Sequence, residues 1–315
     1  MSVIGISRWL SGRIPMRIKS LAILALFTAS FAVLTSCKGK ESATGAAPKS
    51  PVLRYTAIPD QNSTELEAKF RPLSDYLSKT LGVSVQYVPV RDYQAAVESF
   101  KNGDVLLAWY GGLTGVQARN AVPGARAIAQ GDVDPTYYSY FIANKSTGLQ
   151  RSDALPKDIG KYKFTFGSES STSGRLMPEY FLLKATGKTA RELFQTPPGF
   201  SGSHDKTAEL VASGQYDIGV INYKVYERRV KEGKTDPTVC RIIWKTPTYA
   251  DYNWTAHPDL ETTFGAGFTD RLQRALLAIN DPKLLAALPR DRLVPARNED
   301  YEKIREIAQQ LGMLR

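Results

Sequence analysis

The stretch from Phe164 to Gly174 constrains this chain more than any other. Tyr162, Phe164 and Phe166 alternate as a strand does, Gly167 breaks the alternation, and Arg175 to Thr186 has the composition of a helix. A strand that turns through small residues into a helix presents unpaired backbone N–H groups. The first four N–H groups of a helix have no intrahelical acceptor and carry the positive end of its dipole. Ser171, Thr172 and Ser173 add neutral hydroxyl donors at the same place. Two readings are open, an ordinary serine N-cap or a seat for an anion. Pro178 counts against a regular helix start, since it lies beyond the favoured first position and removes a donor.

Around this stretch the chain alternates strands with helices. Val52 to Ile58 reads as a strand, and Leu66, Phe70, Leu73 and Leu77 form a helical stripe interrupted or restarted at Pro72. Val83 to Val88 is a second strand, and Tyr93, Ala96, Val97 and Phe100 make another helical face, closed by Gly103. Val105 to Trp109 is a continuous apolar strand of the kind found at the centre of a parallel sheet. Further on come a β-prone run from Tyr137 to Ala143, a short helix around Asp153 to Ile159, a helix from Lys206 to Ser213 and strands at Tyr216 to Ile221 and Arg241 to Trp244. Helices fill most of Asp270 to Leu314. The order implies an α/β protein. Val97 to Tyr110 and Leu210 to Tyr223 repeat one plan of helix, glycine, aspartate, apolar strand and tyrosine. Two lobes of like topology are therefore expected, with chain crossings near Tyr140 to Asn144 and Lys245 to Thr248 and a ligand cleft at the strand ends.

The N-terminus is an export signal. Arg17 and Lys19 precede an apolar run from Leu21 to Val33, which is too short for a stable spanning helix, and Leu34-Thr35-Ser36-Cys37 resembles a bacterial lipobox. Cleavage there leaves Cys37 as the lipid-modified N-terminus; Met16 is a more natural start than Met1. Lys38 to Pro51 has too little apolar content to fold and reads as a tether. With Cys37 lipidated, Cys240 has no disulfide partner and reads as a buried core residue. Loss of the leader removes four basic residues from a chain of net charge +10, and the remaining excess suits an anionic ligand or membrane surface. No basic run is interleaved with aromatics, which argues against nucleic acid as a partner.

Further pieces stand in a familiar order: Arg91-Asp92-Tyr93, Ala108-Trp109-Tyr110-Gly111, Tyr137-Tyr138-Ser139, Asn144-Lys145-Ser146, the Ser171-Thr172-Ser173-Gly174 run, Ser203-His204-Asp205, Gly214 with Asp217, and Trp244-Lys245-Thr246-Pro247. With these, the chain from Val52 onward resembles the phosphonate/phosphite-type substrate-binding proteins of ABC transporters. The resemblance implies a type II periplasmic-binding-protein clamshell of class α/β, each lobe a mainly parallel sheet flanked by helices. Its expected parts are a signal with lipobox at 1–37, a tether at 38–51, lobe 1 at 52–140 plus 248–315, and lobe 2 at 141–247. It implies oxyanion ligands at Ser171, Thr172, Ser173 and His204, with Tyr93, Tyr110 and Tyr137 as cleft walls and Tyr138 as the neighbour most easily confused with Tyr137. His204, just before the Lys206 helix, is also placed to donate to an oxyanion on general grounds. Tyr252, in Asp251-Tyr252-Asn253-Trp254-Thr255, reads as either core or cleft wall, and His257 reads as surface.

One departure bears on specificity. Aminophosphonate binders place a glutamate where Lys224 aligns here, so a ligand ammonium would meet a like charge. The Asp251 to Thr255 motif and the glycine pair after Tyr110 are more similar to a sub-branch labelled as selenate binders, which keeps a selenate-like oxyanion in play. The resemblance implies a monomer anchored to the membrane by lipid, a small oxyanion as ligand and an ABC permease as partner, with no cofactor. A secreted phosphoester hydrolase is the competing class. The Ser-Thr-Ser run sits on no Gly-x-Ser-x-Gly elbow, the chain has two histidines, and no side-chain cluster has metal-ligand spacing. A structural lipoprotein with no ligand is a third.

Overall fold

The computed structural model describes residues 50–314. The leader, Cys37 and most of the tether lie outside the described residues. Strand β1 (Val52–Ala57) leads into helix α1 (Ser63–Leu81), capped by the Asn62 side chain, which accepts the Thr64 and Glu65 N–H groups. The stripe Leu66, Phe70, Leu73 and Leu77 is buried along one face, and Gly82, at φ 69°, closes the helix in the left-handed region. The helix runs through Pro72 rather than restarting there. A proline removes one backbone hydrogen bond, and burial of the four-residue stripe on either side outweighs that loss.

The remaining elements follow in order: β2 (Ser84–Tyr87), α2 (Tyr93–Lys101), β3 (Leu107–Tyr110), α3 (Gly112–Ala121), β4 (Arg126–Gly131), β5 (Ser139–Asn144), β6 (Phe164–Phe166), α4 (Met177–Thr186) and α5 (Ala190–Leu193). After them come β7 (Gly199–Phe200), α6 (His204–Ala212), β8 (Ile218–Asn222), α7 (Tyr223–Lys231), β9 (Cys240–Lys245), β10 (Asn253–Ala256), α8 (Asp259–Phe264), α9 (Phe268–Leu277), β11 (Leu293–Pro295) and α10 (Glu302–Gln310). No helix forms at Asp153 to Asp158; a short 3₁₀ turn comes next at Ile159–Lys161. The C-terminal region is not wholly helical, because β11 adds an edge strand beside β4.

The strands make two sheets, in the orders β11-β4-β10-β3-β1-β2 and β7-β6-β8-β5-β9. In the first, β1 to β4 run one way while β10 and β11 oppose them. In the second, only β5 opposes its neighbours. Most strands are thus co-directional, as expected, but the sheets are mixed. The opposed strands β5 and β10 each enter a sheet from the other lobe, with no crossover helix to return the chain to the starting end. The connecting segments meet in an isolated antiparallel pair, Tyr137 and Tyr249, whose backbones exchange hydrogen bonds of 2.8 and 2.9 Å. The internal repeat is real: β3 and β8 are interior strands of their sheets, preceded by α2 and α6. One lobe is cored by residues such as Tyr55, Phe70, Phe100 and Trp254, the other by Phe141, Phe164, Phe166 and Trp244. Cys240 is free and buried.

Candidate functional site

Strand β6 ends at Phe166 and the chain turns at once. Gly167 donates its N–H to the Gly174 carbonyl at 2.8 Å, and a Cβ at Gly167 would stand 3.3 Å from the Gly174 Cα. A side chain there would push this turn apart. Ser171 caps the helical segment beyond the turn, its Oγ accepting the Gly174 N–H at 2.9 Å. The first turn of that segment, Thr172–Leu176, is a wide π turn, with Leu176 N–H donating to the Ser171 carbonyl at 3.0 Å. Pro178 therefore falls in the opening turn of α4, where its missing N–H costs nothing. Ser171, Thr172 and Ser173 are all buried.

Each of the three has a different commitment. Ser171 uses a lone pair on the cap, which leaves its proton to give. Thr172 Oγ1 accepts the Leu113 N–H at 2.9 Å, from the first turn of α3 in the other lobe. Ser173 Oγ lies 3.4 Å from His204 Nε2, while its carbonyl accepts from the Ser139 hydroxyl at 2.6 Å.

His204 is the first residue of α6, capped by Ser203, just as Tyr93 is the first residue of α2, capped by Asp92. The two lobes thus bring equivalent helix starts to one place. His204 Nδ1 accepts the Asn222 N–H at 3.3 Å, which puts the ring hydrogen on Nε2, facing Ser173. Burial lowers its pKa to about 4, so at neutral pH it is a one-hydrogen donor without charge.

The facing wall comes from the first lobe. Gly112 N–H donates to Asp251 Oδ1 at 2.9 Å. A Cβ on Gly111 would stand 2.9 Å from Thr172 Oγ1 and 3.1 Å from Asp251 Oδ1, so the glycine permits this approach. Tyr252 donates its hydroxyl to Asp60 Oδ2 at 2.8 Å and accepts from the Asn222 amide at 2.9 Å. Its ring stacks on Trp109 and meets Tyr137 edge-on. Behind these rings Arg290 lies within 6 Å of the centroids of Trp109, Tyr137 and Tyr252, bound to the fully buried Asp134. Burial pushes the Asp60 carboxyl up to about 6 and that of Asp251 up to about 7. The hydroxyls of Tyr93 and Tyr137 and the Asp251 Oδ2 are buried with no hydrogen-bond partner among the described residues.

Ser171, Thr172, Ser173, His204, Tyr93, Tyr137 and Tyr252 therefore come together. Three expected residues do not. The Tyr110 hydroxyl donates to the Ala96 carbonyl at 2.8 Å and its ring packs on Phe100, inside the first lobe. Tyr138 is half-buried, stacked on Tyr223 with Lys245 over it. The Lys224 ammonium stands over the Tyr223 ring and touches none of the hydroxyl residues; Asn222, at the cap of α7, faces the site instead. His257 is buried rather than at the surface, its Nδ1 accepting the Asp259 N–H at 3.1 Å and its ring edge-on to Phe100. Sequence reasoning missed Asp60 and Arg290, because a lone acid or base in a polar stretch reads as solvated surface, and from the Asp251 to Thr255 stretch, read as core or cleft wall, it took Tyr252 and not Asp251 as a site residue.

Two α/β lobes joined by paired crossing segments, with neutral donors and helix N-termini buried between them, define a two-lobed solute-binding protein of the periplasmic type. The chain belongs to the ABC transporter, phosphonate, periplasmic substrate-binding protein family, which matches residues 55–301. It is 42% identical over 271 residues to the probable ABC transporter phosphite binding protein PhnD1 of Prochlorococcus marinus (strain MIT 9301), covering 84% of this chain and 91% of that one. Identity to the phosphate-import protein PhnD of Mycolicibacterium smegmatis is 30% over 251 residues, covering 75% and 76%. The 1.52 Å structure of the Prochlorococcus PhnD1 in complex with methylphosphonate matches with a TM-score of 0.79, over 83% of this chain and 98% of that one.

Proposed function

We propose that the protein captures a small tetrahedral phosphorus oxyanion, such as phosphite or a short alkylphosphonate, between its lobes and delivers it to an ABC permease. One observation carries this reading. Tyr93 Oη beside Ser171 and Asp251 Oδ2 beside Thr172 and Ser173 are buried without a hydrogen-bond partner among the described residues, with the Nε2 of His204 3.4 Å from Ser173 Oγ. Unpaired buried polar groups are costly, so their gathering at one point implies a guest that pairs with them. The similarity to a methylphosphonate-bound relative supports the same class of ligand. The donors are hydroxyls, a neutral imidazole and helix N-termini, which read shape and hydrogen-bonding pattern rather than charge alone.

Lobe 1 is assigned to 52–138 plus 248–315 and lobe 2 to 139–247, after a signal at 1–37 and a tether at 38–51; the boundary falls before β5 and not after residue 140, because Ser139 and Tyr140 already pair with β8. Cys37 carries the lipid that holds a monomer at the membrane. No helix among the described residues is long and apolar enough to cross a membrane. Calorimetry with phosphite, methylphosphonate, phosphate and 2-aminoethylphosphonate tests the ligand reading. Saturable binding of at least one of the first three is expected, and silence across the panel overturns it. A Cys37→Ser variant should leave the membrane fraction, and its retention there would refute the anchor.

A further inference from the structure

Asp251 is an odd neighbour for an anion. It is 1% exposed, in a dry region next to the hydroxyls proposed to hold a negatively charged ligand. Its Oδ1 takes the Gly112 N–H at the start of α3, its carboxyl lies against the side chains of Thr172 and Ser173, and Oδ2 has no hydrogen-bond partner among the described residues. Two ionised oxygen groups cannot sit side by side in such a place without strong repulsion, whereas a hydrogen between them turns repulsion into a bond.

Resting on the oxyanion reading above, we infer that Asp251 holds the ligand through one shared proton, with Oδ2 and a ligand oxygen taking a single hydrogen between them. The proton arrives either on the ligand or on the carboxyl, and the complex is the same. Such a bond is strongest when the two oxygens have similar proton affinity. Phosphite and alkylphosphonates give up their last acidic proton near neutrality and phosphate its second, while sulfate and selenate are stripped in far stronger acid. The site thus favours phosphorus oxyanions and disfavours a selenate-like ligand.

The surroundings fit. Burial raises the carboxyl to about 7, the range of a group that shares a proton at neutral pH. The other ionisable groups facing it are Asp134, neutralised by Arg290, and the tyrosines 93, 137, 249, 252 and 301. At the same site stand Asp60, bonded to Tyr252, and His204, which is neutral at such pH.

The test is calorimetry of phosphite and sulfate binding at about pH 8, in buffers of different protonation enthalpy, which counts protons taken up on binding. The wild type should take up about one proton per phosphite and Asp251→Asn about none. The variant should also narrow the preference for phosphite over sulfate by about tenfold or more. Phosphite binding to the wild type without proton uptake would overturn the inference while leaving the oxyanion reading intact. Failure of every oxyanion to bind the wild type would overturn both. Loss of uptake in Asp60→Asn, with uptake kept in Asp251→Asn, would move the acceptor to Asp60 and refute this assignment. Should Asp251→Asn fail to fold, Asp251→Ser replaces it, and the wild-type proton count decides without either variant.

Discussion

Thr172 and Leu113 join the two lobes through a single hydrogen bond, the Leu113 backbone N–H donating to the Thr172 hydroxyl oxygen at 2.9 Å. The bond ties the hydroxyl run on one lobe to the first turn of α3 on the other. His204 N–H to the Asp60 carbonyl at 3.1 Å and the Asn222 amide to Tyr252 span the same gap. Residues that close the lobes are thus the ones proposed to hold the ligand, which couples affinity to closure.

Thr172→Ala should weaken phosphite or methylphosphonate binding by about one to two orders of magnitude, since a hydrogen bond to a charged ligand contributes roughly 1.5–3 kcal/mol. Thr172→Ser should restore most of it. Ser173→Ala should also weaken binding, with little effect on melting temperature. Ser171→Ala should cost about 1 kcal/mol of stability in addition, because Ser171 caps the Gly174 N–H. Equal affinity in folded Thr172→Ala would place the anion elsewhere.

Gly111→Ala introduces a methyl group 2.9 Å from Thr172 Oγ1. The Gly111 backbone is extended, at φ −73°, so no backbone strain accompanies the change. The clash lies at the contact between lobes, and we expect at least a tenfold loss of affinity with a nearly unchanged melting temperature. Scattering should show a more open form with ligand present. Wild-type affinity would show that the lobes close without this contact.

His204 makes stability depend on pH in a defined direction. Its pKa falls from 6.5 in the unfolded chain to about 4 in the fold, so the unfolded state binds more protons in between. The stability from the buried neutral ring is whole above about pH 6.5 and is lost as pH falls toward about 4. Asp60 and Asp251 act oppositely, their raised values costing stability as pH rises from the ordinary carboxylate range to about 6 and about 7. Thermal melts of His204→Gln should therefore show less loss of stability on acidification than the wild type. Parallel curves would contradict a buried neutral histidine.

Arg290 and Asp134 form a buried ion pair, with the Arg290 guanidinium 4.8–5.8 Å from the centroids of three aromatic rings. Arg290→Met leaves a carboxylate in the interior and should destabilise the protein by about 3–5 kcal/mol. Adding Asp134→Asn should recover much of that, because the stranded charge is gone. Chemical denaturation of both variants measures this, and an equally damaged double variant would assign the loss to packing.

Much of the fold and site was legible in the sequence where the signal was local. The hydroxyl run, its strand and α4 lie in one continuous stretch, and the stripes of α1 and α2 have clear helical spacing. The helix at Gly112–Ala121 was not visible, since Gly112 and Gly115 lower its propensity and its packing comes from α2, α10 and β10 rather than from a local stripe. Tyr110 was misplaced because β3 is buried on both faces, so alternation does not say which side a residue takes. Lys224 failed for a geometric reason. It lies two positions beyond Asn222 at the start of α7, and successive helix residues point about 100° apart.

The Tyr137–Tyr249 pair has a consequence for release. Tyr137 belongs to the strap that links the lobes, and its hydroxyl is buried without a partner among the described residues. Ser139, two residues on, grips the Ser173 carbonyl. Ser139 is itself paired with Asn222 in the second sheet, so bending the strap would reshape the wall that carries Tyr137 while the Ser139 grip stays with its own lobe. An open form cannot keep an intact grip, and a permease that pries the lobes apart at any point on their rims would unload the cargo without touching it.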